Sequence, residues 1–327
     1  MIIVKILLGV LTVCVLVLAA AMAVEAGKSR KIRANYPRTG KMIEIHKGCR
    51  MNVYGTGEGE RTFVMLSGWG TPAPAVDFTP MINAMEGMGR IAVPEVPGYG
   101  ASDDTLLPRR TEYIVEEIRT ALREAGFQPP YYLMPHSMSG MHTLCWAKKY
   151  PEEVAGIIGI DISFPLRRGE KLKRNRKVKF KRWFCTKTGL FRRIVHTGKL
   201  DKRILDQCGQ DESLFPYMKE LTACRAMDSA VYQEGLRFRR NVAYIRNCLP
   251  DPKLPLLLFS STIQAEQAKT RGLNWQEGDR KLAECSERAK IVIYEAPHYL
   301  HHEKAAEMAA EIRDFFSAGD ARKRPAE

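Results

Sequence analysis

A serine hydroxyl becomes a useful nucleophile only when a neighbouring imidazole removes its proton and a carboxylate holds that imidazole in the working tautomer. The segment from Tyr131 to Gly140 reads YYLMPHSMSG and sets Ser137 between an apolar, strand-like run and a helical one. A tight turn at such a junction lifts the hydroxyl above a sheet. It also aims the next backbone N–H, that of Met138, at a reacting carbonyl oxygen. Pro135 and Ser139 occupy the two positions that must be compact, so the motif departs from G-x-S-x-G at both. Ser139 is the rival nucleophile, but choosing it would put Met141 where a small residue is needed. A helix N-cap is the purely structural alternative for Ser137.

The chain has seven histidines. His298 lies in IVIYEAPHYL, at the end of the last strand-like run and just before the closing helix. His301 and His302 follow closely, but no Asp, Glu or Cys at ligand spacing completes a metal cluster, so they are expected to be helix-start residues. His136 is expected to shape the turn before Ser137, and His46, His142 and His196 lie elsewhere. Two carboxylates compete for the role of acid. Asp161 ends the run IIGID, and Glu266 is the first carboxylate after LLLFSSTIQ.

The elements that must hold these residues alternate. MIEIHKG and RMNVYGTG read as a hairpin, and RTFVMLSG, RIAVPEVPG, YYLMP and VAGIIGID read as buried strands. TEYIVEEIRTALREAG carries apolar residues at helical spacing and stops at Gly126. LPLLLFS at 254–260 and AKIVIYEA at 289–296 resume the strand pattern before the helix HEKAAEMAAEIRDFFSA. Repeated strand–helix–strand units predict an α/β protein with a mainly parallel central sheet flanked by helices. The expected division is a transmembrane helix at 1–24, a basic juxtamembrane linker at 25–40, a core at 41–163 and 251–317, a helical basic lid at 164–250 and a disordered tail at 318–327.

Over residues 41–317 the chain resembles the α/β-hydrolase family. Val64 to Gly70, VMLSGWG, resembles the strand-end loop that supplies the family's second oxyanion donor, with Ser67 in place of its usual His. Glu95 to Asp103, EVPGYGASD, resembles the family loop D-x-P-G-x-G-x-S-D. The resemblance implies the α/β-hydrolase fold, with the lid inserted between the strand ending at Asp161 and the strand near 254–260. It implies the chain order nucleophile, acid, base, with Ser137 as nucleophile, His298 as base, and the backbone N–H groups of Met138 and Trp69 as the oxyanion hole. The segment around Asp161 resembles G-L-D-P-A-x-P of pancreatic-type lipases, which favours Asp161 as the acid and leaves Glu266 as the alternative. The implied activity is a serine hydrolase acting on a carboxylic ester without metal or organic cofactor, and a lid with apolar residues beside a membrane points to a lipidic ester. Amidase, peptidase or thioesterase chemistry on the same residues, and a binding protein that has lost the chemistry, are the other readings.

Composition narrows the setting. The net charge is +14, yet residues 167–203 hold 16 Lys or Arg against only Glu170 and Asp201, so the excess is one local patch. Its interleaved aromatics suit contact with an anionic membrane surface, and no nucleic-acid recognition motif accompanies it. From Ile6 to Val24 the chain carries no charge, long enough to cross roughly 30 Å of hydrocarbon. Lys28, Arg30, Lys31 and Arg33 follow the span, which predicts a single-pass anchor with a cytoplasmic catalytic domain. Cleavage after a signal peptide, and secretion, is the alternative. Eight scattered cysteines without a C-x-x-C pair suit a reducing compartment.

Overall fold

The computed structural model describes residues 1–162, 176–208, 211–270, 272 and 274–321. Eight strands form one sheet: β1 (Lys41–His46), β2 (Cys49–Thr56), β3 (Thr62–Leu66), β4 (Arg90–Glu95), β5 (Tyr131–Pro135), β6 (Val154–Ile160), β7 (Leu256–Ser261) and β8 (Ala289–Tyr294). Their spatial order is β1-β2-β4-β3-β5-β6-β7-β8. The hairpin β1–β2 and the β2–β4 pair are antiparallel, and every other pair is parallel. Each expected strand is present, and the hairpin turns at Gly48, whose φ of 74° suits glycine.

Parallel strands need both faces covered, and two apolar clusters cover them. One face packs Val64, Leu66 and Leu133 against the helices Thr111–Glu124 and Gly140–Lys149, burying Ile114, Ile118, Leu122 and Trp146. The other packs Phe63, Met65, Ile158 and Phe259 against Met81, Met308 and Ile312. The helix Thr111–Glu124 buries Ile114, Val115, Ile118, Ala121 and Leu122, the residues at helical spacing. It ends where Gly126, at φ 93°, turns the chain out and Phe127 N–H donates to the Leu122 carbonyl.

Between β6 and β7 the described residues are helical: Arg176–Lys187, Leu190–His196, Asp201–Asp206, Phe215–Arg225 and Ser229–Ile245. The expected start of the lid, 164–175, lies outside the described residues, as does Ser163. Two boundaries expected from the sequence are corrected. The closing helix continues to Ala321 rather than giving way to a tail at 318, and 322–327 lie outside the described residues.

The larger correction concerns the expected linker. A single helix runs from Ile2 to Ala34, so most of 25–40 continues the apolar helix. Its 33 residues span about 50 Å at 1.5 Å per residue, well beyond the ~30 Å of a hydrocarbon core. The large apolar side chains between Ile2 and Leu18 are exposed, whereas Glu25 is buried against the inserted helices. The reason is lateral packing: Tyr217 donates its hydroxyl proton to the Ile32 carbonyl, and Arg192 pairs with Glu25. Beyond the helix, Tyr36 is buried and donates to the Glu95 carboxylate inside the core.

Candidate active site

The site lies at the carboxyl ends of β3, β5, β6 and β8, where loops leave a parallel sheet together. After β5, Ser137 opens a short 3-10 turn, Ser137–Ser139, with φ at 54°. A non-glycine residue there is held at a cost of order 1–3 kcal/mol, which the surrounding packing must offset. That conformation projects the hydroxyl out of the turn. Its Oγ lies 2.8 Å from His298 Nε2. His298 Nδ1 in turn lies 2.5 Å from Asp161 Oδ2.

Asp161 follows β6, has φ at 44° and is fully buried. Its second oxygen, Oδ1, accepts from the Ser261 backbone N–H at 3.0 Å and from the Trp275 indole at 2.8 Å. Both acceptor oxygens are therefore spoken for, and the carboxylate cannot rotate without breaking a bond. Glu266, the other candidate acid, is exposed on the helix Thr262–Lys269 and lines a separate cavity with Thr262, Lys269 and Asn274. The reason is helical: β7 ends at Ser261, whose hydroxyl caps that helix by accepting from Gln264 N–H, and this carries Glu266 away from His298. Ser139 is also placed apart from the imidazole. Its hydroxyl donates within the turn, toward the carbonyls of Leu66 and His136.

Met138 follows the serine directly, and the loop that carries Trp69 passes beside it at Gly68. The Met138 N–H belongs to the first turn ahead of the helix Gly140–Lys149, where backbone donors point outward unpaired by helix geometry. The loop carrying Trp69 comes so close that a Cβ on Gly68 would lie 3.1 Å from Ser137 Cβ and 3.0 Å from His136 Nδ1. A side chain there would press on both residues and require them to shift by a few tenths of an ångström. The loop is held from outside: Gly70 N–H donates to the Tyr99 hydroxyl at 3.1 Å, and Tyr99 donates to Glu234 at 2.7 Å. The Trp69 indole donates to the Val231 carbonyl at 3.0 Å. The segment EVPGYGASD thus serves as support. Glu95 accepts from Asn52, Ala75 and Ala101, and at Gly100 a Cβ would collide with its carboxylate.

A group that sequence spacing did not reveal lies behind His298. His301 and His302 lie in the short helix Leu300–Glu303, as expected of helix-start residues, but the carboxylate that local spacing lacked is supplied from afar by Asp77, whose oxygens lie 2.9 Å from each Nε2. Asp77 sits far upstream, so no local pattern could have indicated it. The two imidazoles hold its carboxyl far below the ordinary carboxylate range despite complete burial, which alone would raise it. Burial pushes the pKa of His301 down, and that of His136 well down, with the neighbouring imidazoles adding to the effect. The His136 ring is tilted by 42° against that of His298 at 4.7 Å between centroids, and its Nε2 lies 3.1 Å from the His298 carbonyl oxygen, so it sets the imidazole's backing as well as the turn. Asp77, His301 and His302 could also hold a metal ion, since their ligand atoms lie within 4.8 Å of one another. The contacts among them are of ordinary hydrogen-bond length.

A family profile described as the alpha/beta hydrolase fold matches residues 62–189. Over 126 residues the chain is 40% identical to the uncharacterized protein YbdG of Bacillus subtilis (strain 168), which is 38% of each protein. Over 115 residues it is 25% identical to YqjL of the same organism, 35% of this chain and 45% of that one. The chain thus spans less than half the length of these curated relatives. The epoxide hydrolase CorEH superposes with a TM-score of 0.63 at 15% identity, covering 84% of this chain and 97% of that one. The esterase EaEST from Exiguobacterium antarcticum superposes with a TM-score of 0.60 at 17% identity, covering 85% and 99%. At such identities the likeness concerns the fold. With this sheet order, the profile match over residues 62–189 and these neighbours, the chain has the α/β-hydrolase fold.

Proposed function

We propose that this chain is a serine hydrolase that cleaves a carboxylic ester through an acyl-enzyme on Ser137. The observation that carries the reading is the hydrogen-bonded chain from Asp161 through His298 to Ser137 Oγ. In the first step Ser137 Oγ attacks the ester carbonyl carbon while its proton passes to His298 Nε2. The oxyanion is met by the N–H groups of Met138 and Trp69, the tetrahedral adduct collapses, and the alcohol leaves with the proton from His298. Water then attacks the acyl group, giving its proton to His298, and the carboxylic acid departs as Ser137 is restored. Asp161 stabilises the imidazolium formed in each half and keeps Nδ1 protonated. The sequence of steps uses only side chains, backbone donors and water.

The reading extends to place and substrate. The helix Ile2–Ala34 is long and apolar enough to cross a membrane. Val178, Phe180, Leu190 and Ile194 are exposed on the same inserted helices that carry the basic patch, a combination suited to a lipid–water interface. Lys187 and Arg192 of that patch are taken by internal ion pairs, so membrane contact falls to the remaining cations. A lipidic ester and an uncleaved anchor with a cytoplasmic catalytic domain are the corresponding proposals. The eight cysteines are free thiols, which suits that compartment.

The test is labelling of the purified full chain by a fluorophosphonate, together with hydrolysis of p-nitrophenyl esters. Labelling and turnover that both vanish in Ser137→Ala are expected. A folded wild-type chain that neither labels nor turns over any ester would overturn the proposal.

A further inference from the structure

A cavity of about 350 Å³ opens between the Trp69–Gly70 loop and the inserted helices. Arg182 and Arg203 reach it as exposed side chains, and Gln207 and Thr222 line it from buried positions, at 3% and 7% exposure. Thr222 Oγ1 is a buried polar atom without a hydrogen-bond partner among the described residues, and the Gln207 amide, which reaches the Tyr299 hydroxyl, has a second N–H to offer. Buried polar groups are normally satisfied, so an unpaired hydroxyl on the cavity wall points to a ligand that satisfies it. Phe191, Ile204 and Met227 supply apolar wall, and no described lining residue is acidic.

The two guanidiniums deserve comparison with their neighbours in the basic patch. Lys187 and Arg192 each engage two carboxylates. Neither Arg182 nor Arg203 forms an ion pair among the described residues, and they stand close enough that Arg203 adds to the burial that lowers the pKa of Arg182. Two cations facing one cavity without a counter-ion repel each other, and an anion between them turns that repulsion into attraction.

We propose that this cavity is a subsite for an oxyanion, a carboxylate or phosphate, carried on an apolar chain beside the bond that Ser137 attacks. Arg182 and Arg203 are its counter-ions, and Gln207 and Thr222 its neutral donors. The inference rests on the serine-hydrolase reading for its link to catalysis and makes the substrate an anionic amphiphile. Trp69 and Gly70, which line the cavity, belong to the loop whose Gly68 passes beside Ser137, so an occupant of the cavity would extend toward the nucleophile.

The test uses the full chain in neutral detergent and a neutral reporter, p-nitrophenyl butyrate, inhibited by octyl phosphate, octanoate or octanol. Both anions are expected to inhibit at least tenfold better than octanol, and raising salt from 50 to 500 mM should erode that advantage because the arginines are exposed (about 3 Å screening near 1 M against about 10 Å at 0.1 M). The ranking of octyl phosphate against octanoate identifies which oxyanion the site prefers. The double variant Arg182→Gln, Arg203→Gln should raise the inhibition constant for the anions about tenfold, and that for octanol less than twofold. Equal potency of octanol and the anions, or unchanged anion inhibition in the double variant, would overturn the subsite. Calorimetric titration of octyl phosphate into the same proteins gives the answer without turnover, so loss of the subsite and loss of the enzyme reading remain distinguishable.

Discussion

Glu25 and Arg192 stand 167 positions apart and meet as a two-point ion pair, with Arg192 Nε 3.2 Å from Glu25 Oε2 and Nη2 on Oε1. Glu25 lies just past the apolar stretch of the first helix, and Arg192 lies on the inserted helix Leu190–His196. The pair is largely shielded from water, with side-chain exposures of 7% and 12%. A fork-like Arg–carboxylate contact fixes direction as well as distance. The helix therefore holds the insertion at a set orientation to its own axis.

Removing Arg192 leaves Glu25 as a shielded, unpaired charge, a loss of roughly 1–3 kcal/mol, whereas removing Glu25 leaves Arg192 with its second partner, Glu220, and costs less. Glu25→Gln and Arg192→Met should each lower the midpoint of thermal unfolding in detergent and expose the insertion to protease. A double-mutant cycle on the same two changes should return a coupling above about 0.5 kcal/mol. Strict additivity would mean that the contact contributes nothing to docking.

Loss of the imidazole or its orienting acid should affect turnover far more than binding. His298→Ala and Asp161→Asn are each expected to reduce kcat by about 10⁴ with little change in KM. Glu266→Gln should leave both constants within twofold. Steady-state kinetics on one p-nitrophenyl ester series checks all three, and a collapse in Glu266→Gln alone would transfer the acid role away from Asp161.

Trp275 acts through Asp161. Its indole donates to Oδ1 at 2.8 Å, and a buried carboxylate that loses such a charge-assisted bond forfeits about 1.5–3 kcal/mol. Trp275→Phe keeps most of the ring volume and removes the donor. The expected result is a kcat lowered about tenfold or more, a KM near wild type, and an altered acid limb in the pH–rate profile as the carboxylate's field on His298 changes. A change in stability with unaltered kinetics would reduce Trp275 to a packing role.

Asp279 supplies a pH dependence of stability. Burial, with the nearby Asp161 charge adding to it, pushes its carboxyl from 3.8 up to about 7. Between those values the folded chain holds a proton that the unfolded chain has lost, so this group favours folding at low pH and its contribution falls as pH rises toward 7. Asp279→Asn removes the ionisable proton. Its melting point relative to wild type should therefore climb between pH 5 and 8, by an amount worth roughly 1 kcal/mol or more at the upper end. Parallel melting curves across that range would show that the carboxyl titrates normally. His136 and His301, both depressed, act in the opposite direction, withdrawing stability as pH falls through 6.5.

The strands and the helix Thr111–Glu124 were legible because their burial follows from local spacing, as at Ile114, Ile118 and Leu122. Ser137, Asp161 and His298 were legible for a related reason, since each directly follows or closes a strand-like run. The continuation of the first helix through 25–34 was not legible. Its polar composition reads as linker, and only packing against the Leu190–His196 and Phe215–Arg225 helices makes helix the better state there. Asp77 escaped for want of any local signal, because its partners His301 and His302 lie 224 and 225 positions away.

The sequence by itself determined the alternation of strands and helices, the apolar span, the concentration of charge in 167–203 and the three strand-end positions where chemistry could sit. Those properties depend on residues within a few positions of one another. The tertiary structure alone decided between Asp161 and Glu266 as partner to His298, brought Trp275 and Ser261 to Asp161, and separated Arg182 and Arg203 from the paired cations around them. Hydrogen bonds and ion pairs act over about 3–4 Å of space, and the chain positions that end within that distance are set by how the sheet and its inserted helices pack.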